Sequence, residues 1–166
     1  WELFNDLLYS QYPNGYSNLY VSFSDIPAII DVDSDGDIDV LTFHIGGQHV
    51  EYHQNQSMEL YGIPDSLKFV LKNECWGKFS EDLSTSSVLL NDPNSPCVGG
   101  NIANPERSII EVAAKHAGST LLALDVNNSG VLDLVVGDVS YSNLTLLVNG
   151  GTSPNTDSPM ISQDNN

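Results

Sequence analysis

The chain has 166 residues, of which 22 are acidic and 5 are basic, so its formal charge is −17. This charge excludes nucleic-acid binding through phosphate neutralisation, since no run of Lys and Arg is present to release counterions. The apolar fraction of 40% is that of a globular protein, and no apolar stretch is long enough to span a bilayer. The composition therefore predicts one globular domain without a membrane span.

The N-terminal segment predicts a hairpin. Residues 1–23 carry apolar stretches on either side of Pro13-Asn14-Gly15, and turn residues between two apolar runs favour this arrangement. We expect the hairpin to complete the first of two structural units.

An Asp-rich loop follows, because five of the 15 Asp residues fall within residues 31–39. Calcium prefers six to eight oxygen ligands, and a tight loop supplies them from alternate positions around a Gly. Position 6 is Gly36, and position 12 is Thr42 where an EF-hand needs Glu, so an EF-hand is excluded. The predicted ligands at positions 1, 3, 5, 7 (through its carbonyl) and 9 are Asp31, Asp33, Asp35, Asp37 and Asp39.

The same loop pattern returns 94 residues later, since Asp31 aligns with Asp125 and Asn55 with Asn149. The second loop has Asn and Ser at two of the positions that are Asp in the first, which predicts tighter binding by the first loop. We expect two calcium ions, the second held by Asp125, Asn127, Ser129, the carbonyl of Val131, and Asp133.

Each copy of the repeat contains three apolar runs, with the Asp-rich loop between the first two and a turn between the last two. This pattern is typical of antiparallel strands. The sequence therefore predicts an all-β fold. Its expected parts are a first unit at 1–55 with loop 31–39, an insertion at 56–116, a second unit at 117–151 with loop 125–133, and a connector at 152–166.

The insertion holds both cysteines, Cys75 and Cys97. Their spacing is not that of a zinc site, so we expect one disulfide and an oxidising, extracytoplasmic setting, with two free buried thiols as the alternative. Trp76 is expected to pack on this disulfide as a local core, or else to form, with Phe79, an aromatic shelf that binds sugars. A short helix is predicted at 108–115.

Side chains of His49, Glu51 and His53 should share one face of a strand. Two His and a carboxylate can bind a transition metal, but a solvated polar face is the favoured interpretation. The spacing is not His-Glu-x-x-His, and no catalytic residues are predicted.

The arrangement of strand, Asp-x-Asp-x-Asp-Gly-x-x-Asp and strand resembles the FG-GAP or VCBS repeat of integrin-α-like β-propellers, and residues 124–137 look like a typical copy. Residues 26–31, 50–55, 116–120 and 149–151 resemble secreted VCBS-repeat proteins of Bacteroidetes, many of which are exported by the type IX secretion system. The resemblance implies a calcium-stabilised propeller at the cell surface or outside the cell.

Two repeats cannot close a propeller, which needs about four to eight blades. We therefore expect a partial propeller of about two blades whose partners are the remaining blades of a longer chain or another protein, with a glycan or a surface protein as a further ligand. The leading hypothesis is a non-enzymatic module for adhesion, recognition or surface assembly. The alternatives are a carbohydrate-binding accessory portion of an extracellular hydrolase and a subunit of an extracellular filament or outer-membrane complex.

Overall fold

The computed structural model describes residues 6–82, 85, 87–92, 118–154 and 157–165. Strands and short helices alternate with turns along this part of the chain. The strands are β1 (Tyr9–Tyr12), β2 (Gly15–Asn18), β3 (Ala28–Ile30), β4 (Asp39–Phe43), β5 (Val50–Asn55), β6 (Phe69–Asn73), β7 (Phe79–Glu81), β8 (Val88–Leu90), β9 (Gly118–Leu124), β10 (Asp133–Asp138), β11 (Leu144–Asn149) and β12 (Met160–Asp164), and the helices are α1 (Ser57–Tyr61) and a 3₁₀ turn at Trp76–Lys78.

The described strands form three sheets. The first sheet has the order β2-β1-β6-β5-β4-β3, the second has the order β12-β11-β10-β9, and β7 pairs with β8. Strand pairs within these sheets are antiparallel apart from β1 with β6, which is parallel. The predicted all-β fold with antiparallel sheets is confirmed. No helix in the described ranges is long and apolar enough to cross a membrane.

The sequence repeat is also a structural repeat. In the first sheet Val40 lies opposite His53, and in the second sheet Leu134 lies opposite Leu147, at the same offset of 94 residues. Pairing of β3 with β4 and of β9 with β10 keeps this offset as well. Each copy is therefore a four-stranded antiparallel unit, β3 to β6 in the first sheet and β9 to β12 in the second.

The fourth strand of each unit lies outside the boundaries expected from sequence. Strand β6 belongs to the predicted insertion, and β12 belongs to the predicted connector. Both segments join a sheet because β5 and β11 offer them a free edge, and because Phe69 and Met160 become almost completely buried there. The hairpin of β1 and β2 forms around Gly15 as predicted, but it attaches beyond β6 and not beside β3.

The two units stack on one another through opposite faces. One core cluster contains a face of the first sheet, formed by Ala28, Leu41, Phe43, Val50 and Tyr52, together with a face of the second sheet, formed by Leu121, Ala123, Leu134, Val136 and Leu147. Counting back 94 residues, Leu134 corresponds to Val40, which lies on the far face of the first sheet and is covered by Leu19 and Phe69. The stacking is therefore head to tail, and no two-fold axis relates the units.

Within the described ranges, this arrangement leaves one equivalent face without a sheet against it. Leu122, Val135, Leu144 and Leu146 correspond to the core residues Ala28, Leu41, Val50 and Tyr52, and we call these four residues the outer face. Leu122 is 56% exposed and Leu144 is 60% exposed, while the other two are half-buried. The second unit thus presents to solvent the face that the first unit buries.

The segment after β6 contributes to the core. Trp76 and Phe79 are buried in the cluster between the sheets, together with Val88 of β8. Both aromatic residues are therefore core residues and not the exposed sugar-binding shelf of the alternative. Packing of Trp76 on the disulfide stays a prediction. Cys97 and the predicted helix at 108–115 lie outside the described residues, so the disulfide with Cys75 stays a prediction.

Candidate metal centre

The first Asp-rich loop is folded by hydrogen bonds between its own carboxylates and amides. Asp31 accepts hydrogen bonds from the amides of Asp35 and Gly36, at 3.2 and 3.1 Å, and Asp35 accepts one from the amide of Asp37, at 3.0 Å. Ser34 has a φ angle of 61° and Gly36 has one of 103°. The value at Gly36 is far more accessible to Gly than to other residues. The loop therefore curls around its first carboxylate.

Asp39 connects this loop to two strands. Its Oδ2 accepts a hydrogen bond from the amide of Val32 at 2.9 Å, and its Oδ1 accepts one from the amide of Asn55 at 2.8 Å. Tyr52 also donates its hydroxyl to Oδ2, at 3.1 Å. Asp39 is fully buried, and burial raises the pKa of its carboxyl group to about 7. The side chain thus braces the loop from within the protein, whether or not it also binds a cation.

Two groups of carboxylates in this loop are close enough to share a cation. Asp31, Asp33 and Asp39 form one group, and Asp33, Asp35 and Glu59 form the other, with one oxygen from each member within 4.8 Å of the others. In the described part of the chain, no other three Asp, Glu, His or Cys side chains lie this close together. The structure therefore brings together four of the five Asp residues predicted as ligands, and adds a residue from α1.

Burial distinguishes these carboxylates from ordinary surface acids. Asp33 is 6% exposed and Asp37 is 1% exposed, and the Oδ1 atom of each has no hydrogen-bond partner among the described residues. Desolvation raises the pKa of both carboxyl groups, and the neighbouring Asp35 raises it further. A buried carboxylate oxygen without a partner is unfavourable unless a cation or an ordered donor meets it. The loop thus holds ligand atoms that the protein leaves unsatisfied.

Helix α1 covers the first loop, and sequence reasoning did not find this. The backbone amide of Met58 donates to Asp37 Oδ2 at 2.9 Å, and the side-chain Nε2 of Gln54 donates to both Asp33 Oδ2 and Glu59 Oε1. These contacts depend on how the chain turns after β5, which no motif in the sequence specifies. Gln54 and Glu59 are therefore site residues that only the structure reveals.

The second loop repeats the backbone of the first in a more exposed setting. Asp125 accepts from the amides of Ser129 and Gly130, and Asp133 accepts from those of Val126 and Asn149, all at equivalent positions. The Asp125, Asn127 and Ser129 side chains are all exposed, and Asn127 accepts from the Ser129 amide at 2.9 Å. Hydrogen bonds, chiefly from Gly130, lower the pKa of Asp125.

The second loop is therefore preformed but has fewer carboxylates than the first. Its predicted ligation of calcium, including that by the carbonyl of Val131, remains a prediction, as does ligation by the carbonyl of Asp37.

The His and Glu residues of β5 do not form the solvated face expected from sequence. His53 is fully buried, its Nδ1 lies 2.8 Å from Ser10 Oγ, and its Nε2 lies 3.3 Å from Glu51 Oε2. His49 stacks on His44 with ring centroids 4.5 Å apart, and burial lowers the pKa of His49 to about 4. The prediction of a solvated face is wrong because two side chains of β1 pack against His53: Ser10 lies at its Nδ1, and the Tyr12 ring contacts the imidazole edge-on.

Comparison with known proteins adds no family to this description. No family model matches the chain, and neither a curated protein nor a solved structure is detectably similar to it. The fold and the site geometry therefore carry the functional argument.

Proposed function

We propose that the chain is a calcium-binding β-repeat module, part of a propeller-like stack, that acts outside the cell or at its surface in adhesion, recognition or assembly. This proposal rests mainly on the buried carboxylate oxygens of Asp33 and Asp37, which have no hydrogen-bond partner among the described residues and lie in a loop whose backbone is already folded. In this account the metal is structural, and the module carries out no catalysis.

Calcium is the cation favoured by the chemistry of the first loop. The available donors are carboxylate oxygens, which suit hard cations, and no His or Cys belongs to either carboxylate group. Magnesium demands a tight octahedral shell and retains several waters, whereas calcium accepts six to eight oxygens in a flexible arrangement. A short loop that offers several carboxylates and one or more carbonyls fits calcium better. Millimolar calcium outside cells would keep such a site occupied.

Head-to-tail stacking supports the propeller-like part of the proposal. A heterologous interface leaves one unmatched face at each end of a stack, and such stacks either close into rings or continue as filaments. Here the hairpin region covers one end through Leu19, while the outer face at the other end stays exposed. We infer that the outer face receives a further four-stranded unit, supplied by a longer chain or by another protein.

Surface assembly is a second candidate function, favoured by the same outer face. If the further unit comes from another molecule, the isolated chain should associate weakly through this face, because apolar sheet faces seldom remain exposed. Sedimentation of the wild type and of a Leu122→Lys, Leu144→Lys double variant would test this. Concentration-dependent association that the double variant lacks would support assembly, and a wild type that stays monomeric at high concentration would argue for a neighbouring unit in the same polypeptide.

Isothermal titration calorimetry with calcium tests the proposed function directly. The wild type should bind calcium at two sites of unequal affinity, because the first loop offers more carboxylates than the second. An Asp31→Ala, Asp35→Ala double variant should lose the tighter event, and Asp125→Ala should lose the weaker one. Titration with magnesium serves as the control and should give much weaker binding.

The proposal fails if the folded wild type binds no calcium at millimolar concentration. It also fails if the double variant binds as tightly as the wild type, since the first loop could then not be the metal site.

A further inference from the structure

We propose that Glu59 of helix α1 is a ligand of the cation held by the first loop, together with Asp33 and Asp35. This inference rests on the proposed calcium function and extends it, because it places a ligand outside the Asp-rich loop. It also means that the first loop receives a ligand from outside the loop, whereas the second loop receives none from the described residues.

The carboxylates of Asp33, Asp35 and Glu59 lie close together. One carboxylate oxygen from each of Asp33, Asp35 and Glu59 lies within 4.8 Å of the others, which allows a single ion to contact all three. The side-chain Nε2 of Gln54 donates to both Asp33 Oδ2 and Glu59 Oε1, so these two carboxylates already share one neutral donor. A cation placed among the three oxygens would offset their negative charge, which the neutral Gln54 donor does not.

The second support is independent of that proximity. Asp33 is more than nine-tenths buried, and its Oδ1 has no hydrogen-bond partner within the described ranges of the chain. A carboxylate in this state needs compensation, and the alternative is protonation. Asp33 belongs to both carboxylate groups, so an ion bound to Asp33 can also contact Glu59 of α1.

The start of helix α1 is fixed next to the first loop by two hydrogen bonds that its backbone amides donate. The amide of Met58, next to Glu59, donates to Asp37 Oδ2 at 2.9 Å, and the amide of Ser57 donates to Asn55 Oδ1 at 3.2 Å. The start of the helix is thus attached both to the loop and to the end of β5. Glu59 itself is exposed, so replacing its carboxylate removes no core contact.

Among the described residues, the second copy of the repeat offers no equivalent ligand. Ser153 occupies the position 94 residues after Glu59, and residues 150–154 are not helical. In the described part of the chain, no acidic side chain from the segment after β11 forms a group of three carboxylates with the second loop, and Asp157 of that segment pairs with Lys78 instead. A ligand from α1 would raise the affinity of the first loop above what its own Asp residues provide.

Terbium luminescence tests this assignment, because the luminescence lifetimes of bound Tb³⁺ in H₂O and D₂O report the number of coordinated waters. All proteins would carry Asp125→Ala so that the second loop does not contribute. Glu59→Gln should weaken calcium binding about tenfold and should add about one water to bound Tb³⁺. Asp65→Asn, which removes a charge from the exposed segment after α1, is the matched control and should change neither quantity.

Three results would overturn the assignment. If Glu59→Gln binds calcium within about twofold of its parent, Glu59 is not a ligand, although the proposed function stands. If affinity falls while hydration stays constant, Glu59 acts only through its charge. If the Asp125→Ala parent itself binds no calcium, the proposed site at the first loop fails together with this inference. Circular dichroism would verify that each variant is folded.

Discussion

Leu144 and Val50 occupy equivalent positions in the two units, yet Leu144 is 60% exposed and Val50 is fully buried. The difference arises from stacking, since the second unit covers the face that contains Val50 and nothing in the described chain covers the face that contains Leu144. Equivalent apolar side chains therefore contribute very differently to stability in the isolated chain.

Alanine substitutions at these two positions should separate the effects. Val50→Ala should lower the free energy of unfolding by about 2 kcal/mol, because it leaves a cavity in the core. Leu144→Ala should change it by less than about 0.5 kcal/mol, as is usual for exposed positions. Urea denaturation monitored by tryptophan fluorescence measures both. Equal losses in the two variants would contradict the stacking arrangement, as they would mean that something also covers the outer face.

Asp133 should matter for folding in the absence of any metal. It is fully buried and accepts from the amides of Val126 and Asn149, so Asp133→Ala leaves two donors without their acceptor. We expect the free energy of unfolding with chelator to fall by about 3 kcal/mol, since each unsatisfied buried group costs about 1–3 kcal/mol.

The exposed Asp125 provides the matched control for that experiment. With chelator, Asp125→Ala should leave the urea midpoint close to that of the wild type. A similar midpoint for Asp133→Ala and Asp125→Ala would show that the bracing hydrogen bonds are not significant, and that position 9 of the loop serves only the metal.

The repeat explains why much of the fold could be predicted. Three strands of each unit are apolar runs bounded by turns, and the loop between the first two carries an Asp pattern that appears twice. The fourth strands gave a weaker signal because β6, whose apolar run is only Phe69 to Leu71, and β12, which is mostly polar after Met160, both lie beyond the end of the sequence repeat at Asn55 and Asn149. They form strands because a sheet edge is available to them, and this is a property of the assembled sheet.

The site was predictable only in part, for a similar reason. Alternate carboxylates around Gly36 identify the loop, because the chain itself brings them together. The contact of Gln54 with the loop depends on how β5 is placed beside it, that of Glu59 depends on the direction of the chain after β5, and the burial of His53 depends on the distant hairpin. Interactions between separated segments leave no periodic pattern in one sequence.

Calcium should raise the thermal stability of the chain, and mainly through the first loop. An ion that binds the folded state alone stabilises it by about 2.7 kcal/mol when its concentration is a hundred times the Kd. For a protein of this size, that predicts a rise in Tm of roughly 5–10 °C. Differential scanning calorimetry with calcium and with chelator measures the effect.

Variants assign this stabilisation to one loop or the other. Asp31→Ala, Asp35→Ala should abolish most of the calcium-dependent rise in Tm, whereas Asp125→Ala should retain most of it. The reverse order of effects would show that the exposed loop is the stronger site, against the prediction from charge and burial.

Glu81 should make stability depend on pH. It is buried, its Oε2 has no partner in the described residues, and burial followed by the charge of Asp138 raises its pKa from 4.5 to about 8. A carboxyl group whose pKa is raised in the folded state favours folding in its neutral form. Stability is therefore intact below about pH 4.5, decreases as the pH rises toward 8, and stays lower above that value.

Glu81→Gln keeps the shape of the side chain and removes this titration. In calcium, the variant should match the wild type below about pH 4.5 and exceed its free energy of unfolding by up to about 5 kcal/mol near pH 9, since each pKa unit corresponds to about 1.4 kcal/mol. Urea denaturation at the two pH values provides the measurement. Asp138→Asn should move the wild-type transition to lower pH by removing the repelling charge. Parallel pH profiles for Glu81→Gln and the wild type would mean that Glu81 ionises normally in the folded protein.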